Sequence, residues 1–327
     1  MNDYKELIRT EAARLGFDAC GFARAEAVDA EAQQRYDRWI AARRHDCMDY
    51  ATRYLNVRSD PRLLLDGAQT VISLALGYYP AVLQDRESPQ FSFYAYGRDY
   101  HEVLRERLRA LATYVKELTG CESRACVDTA PIREKYWAQR AGIGFVGRNN
   151  LLILPGRGSF FFLGELVTTL AVEPDEPCRL TCGDCRRCEI YCPGKALSGG
   201  EALDASRCLS CQLIENRSET LPEWVGERAG LRVYGCDACQ RCCPHNAYAE
   251  PTRVPDFAIS PELQHITADD IASMTEEQFR ALFRHSAVWR LKLAGLKRNL
   301  EEILGNRGSG IGLIRPIGLM GRGGREC

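Results

Sequence analysis

Two hydrophobic periods alternate along the first 172 residues. Tyr4–Leu15 carries apolar residues at helical spacing, and Asp18–Phe22 follows as a short buried strand. Val28–Arg44 reads as a second amphipathic helix, and the β-branched run Thr70–Leu76 (TVISLAL) as a buried strand. In Tyr100–Leu118, Val103, Leu104, Leu108, Leu111, Tyr114, Val115 and Leu118 form one helical stripe. Arg124–Val127 predicts a strand. A helix is expected from Pro131, because proline suits a first helical turn. Asn150–Leu154 and Phe160–Leu170 read as two strands around the turn Pro155-Gly156-Arg157-Gly158. Such alternation points to an α/β (α+β) layered domain over residues 1–172.

The pattern then breaks. Residues 173–250 form a cysteine-rich insert, opened by the proline-bearing linker Glu173–Pro177. Residues 251–327 hold two helical stretches, about Thr275–Arg284 and Val288–Leu304, and a glycine- and arginine-rich tail expected to be poorly ordered. Eleven of the sixteen cysteines lie between Cys178 and Cys243. The others (Cys20, Cys47, Cys121, Cys126, Cys327) are scattered singly. No run approaches the roughly 18 apolar residues that span a bilayer, and the charged N-terminus has no signal-peptide core. A cytoplasmic protein with no membrane partner is expected, in which thiols stay reduced. The net charge of −1 gives no global attraction to a polyanion, so nucleic acid would need a local basic patch.

The cysteine spacing is specific. Cys182-x2-Cys185-x2-Cys188-x3-Cys192-Pro193 is the spacing of a bacterial ferredoxin loop, whose fourth cysteine crosses to the other cluster. Cys236-x2-Cys239-x3-Cys243-Pro244 matches the last three positions of the same pattern, with Val233 where the first would stand. The missing ligand must come from elsewhere. Cys208 is the first candidate and Cys211 its rival. Crossing the fourth ligands groups Cys182, Cys185, Cys188 and Cys243 around one [4Fe–4S] cluster, and Cys192, Cys208, Cys236 and Cys239 around another. Cys178, Cys211 and Cys242 are then bystanders. Two structural zinc sites are the alternative, but a repeated Cys-Pro end after three-residue spacing is not a zinc habit. Neither G-x-G-x-x-G after the first strand nor a P-loop occurs. The residues alone therefore lead to an iron–sulfur oxidoreductase and no further.

Longer segments carry a resemblance. MDYATR (48–53), YGRDYH (96–101), VDTAPIREKYWAQRAGIGFVGRNNLLI (127–153), GSFFFLGEL (158–166), DASRCLSCQLIENR (204–217) and YGCDACQRCCPHN (234–246) resemble, in order, the epoxyqueuosine reductase family. The resemblance implies a cobalamin-dependent reductase that converts epoxyqueuosine to queuosine at the tRNA wobble position. It implies a corrinoid in the first domain, fed with electrons through two [4Fe–4S] clusters, and it selects Cys208 over Cys211. Asp128, in V-D-[ST]-A-P, becomes the acid that protonates the epoxide oxygen, with a pKa expected to be raised by an apolar pocket; otherwise it caps the helix at Pro131.

The resemblance also places Asp128 among the cofactor-binding residues and makes Arg53 a corrinoid contact, against a solvated helix arginine. Leu152, Leu163 and Ser210 become further contacts, although leucines in apolar strands are usually core. Tyr96, Gly97, Arg98, Asp99 and His101 are expected on the substrate side, with His101 more readily explained as a helix-start residue. The implied partners are epoxyqueuosine-bearing tRNA and an electron donor of flavodoxin or ferredoxin type, with the chain acting as a monomer. Two departures lie beside the clusters: His245 where the family commonly has tryptophan, and Cys211 where it commonly has tyrosine. Many members continue into a helical-repeat domain that grips tRNA, so this chain reads as a short form. Its tail (Arg307, Arg315, Arg322, Arg325) is a candidate source of phosphate contacts. The competing functions are an electron-transfer or corrinoid-reactivating protein, and a dehalogenase-like cobalamin reductase.

Overall fold

The computed structural model describes residues 4–197 and 203–305; the arginine-bearing tail lies outside them. Its centre is a four-stranded sheet in the order β1 (Ala19–Arg24), β2 (Thr70–Gly77), β7 (Phe161–Thr168), β4 (Ser123–Cys126). Every neighbouring pair is antiparallel. The domain is therefore α+β, because helices joining consecutive strands do not by themselves impose parallel pairing.

Period two divides the sheet. Phe22 lies opposite Ile72 on neighbouring strands, and with Leu74, Leu76 and Leu166 they face α1 (Tyr4–Arg14) and α4 (Tyr100–Thr119). Ala23, Val71 and Val167 face the other way, against Trp137 of α5 (Glu134–Arg140). Both faces are covered, which is why TVISLAL shows no polar alternation. Helix α4 buries Val103, Leu104, Leu108, Leu111 and Val115, starts at the Asp99 cap and ends at Gly120 in the left-handed region.

Two expectations need correction. Helix α5 begins at Glu134 rather than Pro131, with Arg133 at its N-cap and no side-chain cap. Turns fill residues 128–132 because Asp128 has φ of 25°, outside the helical region. The segments before and after residues 155–158 do not form a paired hairpin. β6 (Leu152–Ile153) pairs with β5 (Phe145–Val146), and only Leu154 and Gly158 bridge across the turn. A Cβ at Gly158 would overlap Oδ1 of Asn246, so the turn is also a docking point for the cysteine-rich segment.

That segment shares the main core. β3 (Gln90–Phe91) pairs in parallel with β8 (Arg232–Tyr234), and Phe91, Leu213, Val233, Phe283 and Leu300 belong to one buried cluster. The segment also contributes α6 (Arg187–Tyr191), α7 (Leu209–Ile214), α8 (Glu223–Arg228) and α9 (Ala238–Arg241). The C-terminal helices include α12 (Glu276–Phe283), closed by a Thr275–Gln278 capping box, and α13 (Lys292–Gly305). From α13 the wholly buried Asn299 donates to the carbonyls of Leu213 and Val233, both at 2.8 Å. Asn299→Ala strands both acceptors, so a loss of about 2–4 kcal/mol is expected, measured as a lower urea midpoint.

Candidate functional site

The two cysteine sets converge from separate loops. Cys182, Cys185, Cys188 and Cys243 line one cavity together with Asn149, Ile153 and His245. Burial, followed by the neighbouring Cys182, pushes the Cys188 thiol up to about 11. In the second set, burial and then Cys236, Cys208 and Cys192 push Cys239 well above its ordinary value. Four thiols gathered in this way repel one another as thiolates unless a metal neutralises them. The donor chemistry therefore fits two iron–sulfur clusters. Backbone N–H groups already point at the sulfurs: Arg148 donates to Cys182 Sγ at 3.4 Å and Ala196 to Cys192 Sγ at 3.3 Å. Such bonds tune cluster potentials.

Local structure explains the convergence. Cys192 ends α6 in extended backbone, and Pro193 turns the chain. At Gly194 a Cβ would overlap the Arg207 carbonyl, so only glycine lets the Cys192 loop approach the Cys208 segment this closely. Cys208 is the N-cap of α7, and the N–H groups of Cys211 and Ser210 point to its sulfur. Cys243 is followed by the buried Asn246, whose Oδ1 accepts from the Ser159 N–H at 2.6 Å and whose Nδ2 donates to the Gln240 carbonyl at 2.7 Å. His245 stands edge-on to Phe145, 5.5 Å away. Of the bystanders, Cys178 exchanges hydrogen bonds with Gln139, and Cys242 is buried with its thiol on the Cys239 carbonyl. Cys211 faces Cys47 instead.

Asp128 sits where β4 hands over to α5. It caps nothing. Its Oδ2 accepts from the Tyr100 hydroxyl and meets His101 Nε2, both at 2.9 Å. Asp99 Oδ1, in turn, holds His101 Nδ1 at 2.7 Å. Tyr100 is fixed by stacking on Phe162 at 4.4 Å and on His101 at 4.0 Å. His101 is thus a helix-start residue and also an Asp128 partner. The remaining substrate-side candidates divert: Tyr96, Gly97 and Arg98 line a different cavity, and Arg98 pairs with Glu102 and Glu106.

The expected rise in the Asp128 pKa does not occur. Burial pushes the carboxyl up, but the hydrogen bond and charge of His101, with the Tyr100 hydroxyl, pull it below its ordinary value. Burial pulls His101 down, yet Asp128 and Asp99 raise it to about 9. The pair's proton therefore rests on His101 at neutral pH. Under Asp128, Glu134 accepts from the Asp128 N–H at 2.6 Å; burial and the Asp128 charge raise its carboxyl to about 8. A histidine whose pKa rises on folding stabilises fully below its unfolded value of 6.5, and that contribution is lost as pH rises through 9. The stability gap between wild type and His101→Gln is expected to be widest near pH 6 and to close above about pH 9, followed by urea titrations across that range.

Tyr50 connects the two centres. Burial raises the pKa of its hydroxyl, as do Glu215, Asp128 and Cys211, which lie within electrostatic range. Arg290, paired with Glu215 at 2.8 Å, brings an opposing positive charge from the C-terminal segment to the same place. Tyr50, Tyr54 and Leu55, which flank Arg53, are all exposed. Such apolar exposure fits a surface that a large planar cofactor covers. Arg53 itself is exposed after a short turn, and Ser210 is half-buried on α7. Leu152 and Leu163 pack with Ala75 and Ala138, so their side chains serve the core. Tyr100, Tyr50, Glu134 and Arg290 escaped the reading of the sequence. The first three stand inside motifs already singled out, whereas nothing local marks Arg290.

Comparison with known proteins agrees with this layout. The epoxyqueuosine reductase QueG (DUF1730) profile matches residues 58–129, and a 4Fe-4S double cluster binding domain matches residues 181–246. An epoxyqueuosine reductase from Leadbetterella byssophila is 41% identical over 93% of this chain and 99% of its own length. The chain belongs to the epoxyqueuosine reductase family. A solved family member holding an epoxyqueuosine-modified tRNA-Tyr stem loop is 30% identical with a TM-score of 0.81, across 93% of this chain and 81% of that one. The Bacillus subtilis enzyme, solved with its catalytic aspartate loop swung out of the active site, is 28% identical with a TM-score of 0.82, across 94% of this chain and 82% of that one. Among the described residues no helix is long and apolar enough to cross a membrane.

Proposed function

We propose that this chain reduces epoxyqueuosine to queuosine in tRNA, with Asp128 as the proton donor and the eight cysteines as ligands of two [4Fe–4S] clusters. The observation that carries the reading is the Asp128–His101 pair, with Tyr50 in electrostatic range of both Asp128 and Cys211. The family's solved complex with a modified tRNA stem loop supports tRNA as substrate. The Bacillus subtilis enzyme's catalytic aspartate loop supports a mobile acid, in keeping with the left-handed backbone at Asp128.

Cobalamin, when bound beside Tyr50, would supply the electrons that open the epoxide. Arg53 and Ser210 are the proposed polar contacts to it, with Leu152 and Leu163 backing the site from the core. The protein's own work is protonic. His101 Nε2 passes its proton across 2.9 Å to Asp128 Oδ2, which hands it on to the leaving oxygen and is left a carboxylate beside a neutral imidazole. Tyr100 holds the carboxylate in line, and Asp99 holds the imidazole. Reducing power is proposed to come from a flavodoxin- or ferredoxin-type donor. Reduced protein given cobalamin and epoxyqueuosine-containing tRNA is expected to yield queuosine, detected by nucleoside mass spectrometry. Cobalt reduction without a tRNA product would instead make it an electron-transfer or corrinoid-reactivating protein.

A further inference from the structure

Two cysteines outside both ligand sets face each other across 164 residues of sequence. Cys47 Sγ and Cys211 Sγ are 3.4 Å apart. Cys47 is half-buried in the loop after α2 (Ala30–Ala41), and Cys211 is buried on α7. The approach is held by bonds that involve neither sulfur. Ala205 N–H donates to the Arg44 carbonyl at 2.8 Å, Trp39 Nε1 to the Leu203 carbonyl at 2.6 Å, and Gln212 Nε2 to Asp46 Oδ2 at 2.9 Å. The loop turns tightly, with Arg43 and Asp46 both at positive φ.

The donor atoms of Asp46, Cys47 and Cys211 lie within 4.8 Å of one another. A metal would need the Asp46 carboxylate, which is exposed and engaged by Gln212. Only two soft donors remain free to react, and two thiols in contact favour a disulfide over a coordination site. Closing the bond to about 2.05 Å moves the sulfurs together by roughly 1.4 Å, within reach of side-chain rotation.

We propose that Cys47 and Cys211 form a reversible dithiol–disulfide pair that exchanges with low-molecular-weight disulfides. The accessible Cys47 thiolate attacks one sulfur of the small disulfide, forming a mixed disulfide and releasing one thiol. Cys211 then attacks the Cys47 sulfur and expels the second thiol. Two protein thiols are oxidised, one small disulfide is reduced to two thiols, and their two protons pass to the departing thiolates. The new bond ties the segment carrying Tyr50 and Arg53 to the helix carrying Ser210, immediately beside Cys208.

The test uses the full chain with its clusters in place, treated anaerobically with glutathione disulfide. Remaining thiols are blocked with N-ethylmaleimide, and peptides are mapped by mass. The expected product is a Cys47–Cys211 peptide pair lighter by two hydrogens, with cluster absorbance unchanged and full reversal by dithiothreitol. Cys211→Ser is expected to trap glutathione on Cys47, and Cys47→Ser to leave Cys211 fully alkylated. The proposal is overturned by a lasting glutathione adduct at Cys47 of the wild type, or by a linkage that forms only as cluster absorbance disappears. Bound metal lost specifically in Cys47→Ser would identify a metal site and overturn it as well.

Discussion

Asp128→Asn is expected to lower queuosine formation by ~10²–10⁴-fold, the range for losing a positioned general acid. The asparagine keeps the size of the side chain and accepts from Tyr100, but it has no proton to relay from His101. Iron content and cobalamin binding should stay at wild-type levels, because Asp128 lies outside both cysteine sets. The same substitution removes the charge that raises His101, so the imidazole should titrate well below its wild-type value of about 9. NMR of the His101 ring resonances reads that shift independently of turnover. Activity near wild type would move the acid's role elsewhere, with Glu134 the next carboxyl to examine.

Cys208→Ala is expected to halve the iron, from about eight atoms per chain to about four, since one cubane loses a ligand. Cys211→Ala should leave iron at about eight, because that thiol faces Cys47 rather than the second cysteine set. Turnover should vanish in the first variant, for electrons would have no complete path to the cofactor. Iron assay of anaerobically purified protein, with electron paramagnetic resonance of the reduced samples, measures both. Equal iron in the two variants would falsify the assignment of Cys208.

How much of this was legible depended on the distance over which each feature is encoded. The C-x2-C-x2-C-x3-C-P run is local, so loop geometry alone announces a cubane. Helix α4 was legible almost to the residue, since its apolar stripe, aspartate cap and glycine stop all lie within one segment. Helix α5 was misplaced because proline's preference for a first turn competed with the left-handed backbone at Asp128, which no local pattern signals. The short α7, α8 and α9 escaped notice because helices of four to six residues carry no measurable period.

By itself the sequence determined the hydrophobic periods, the cysteine spacing and the motif order, and through them an iron–sulfur reductase of this family. Tertiary structure decided what lies across the chain. The antiparallel pairing of β1, β2, β7 and β4 joins strands far apart in sequence, which period two does not encode. The Asp128–His101 contact bridges 27 residues and reverses the expected direction of the Asp128 pKa, because a charge and two hydrogen bonds at 2.9 Å outweigh burial. The meeting of Cys47 and Cys211 depends on backbone and amide bonds that dock one loop on another. Periodicity reports which side of a segment avoids water. Which residues then meet is settled by packing, where distance and charge act together.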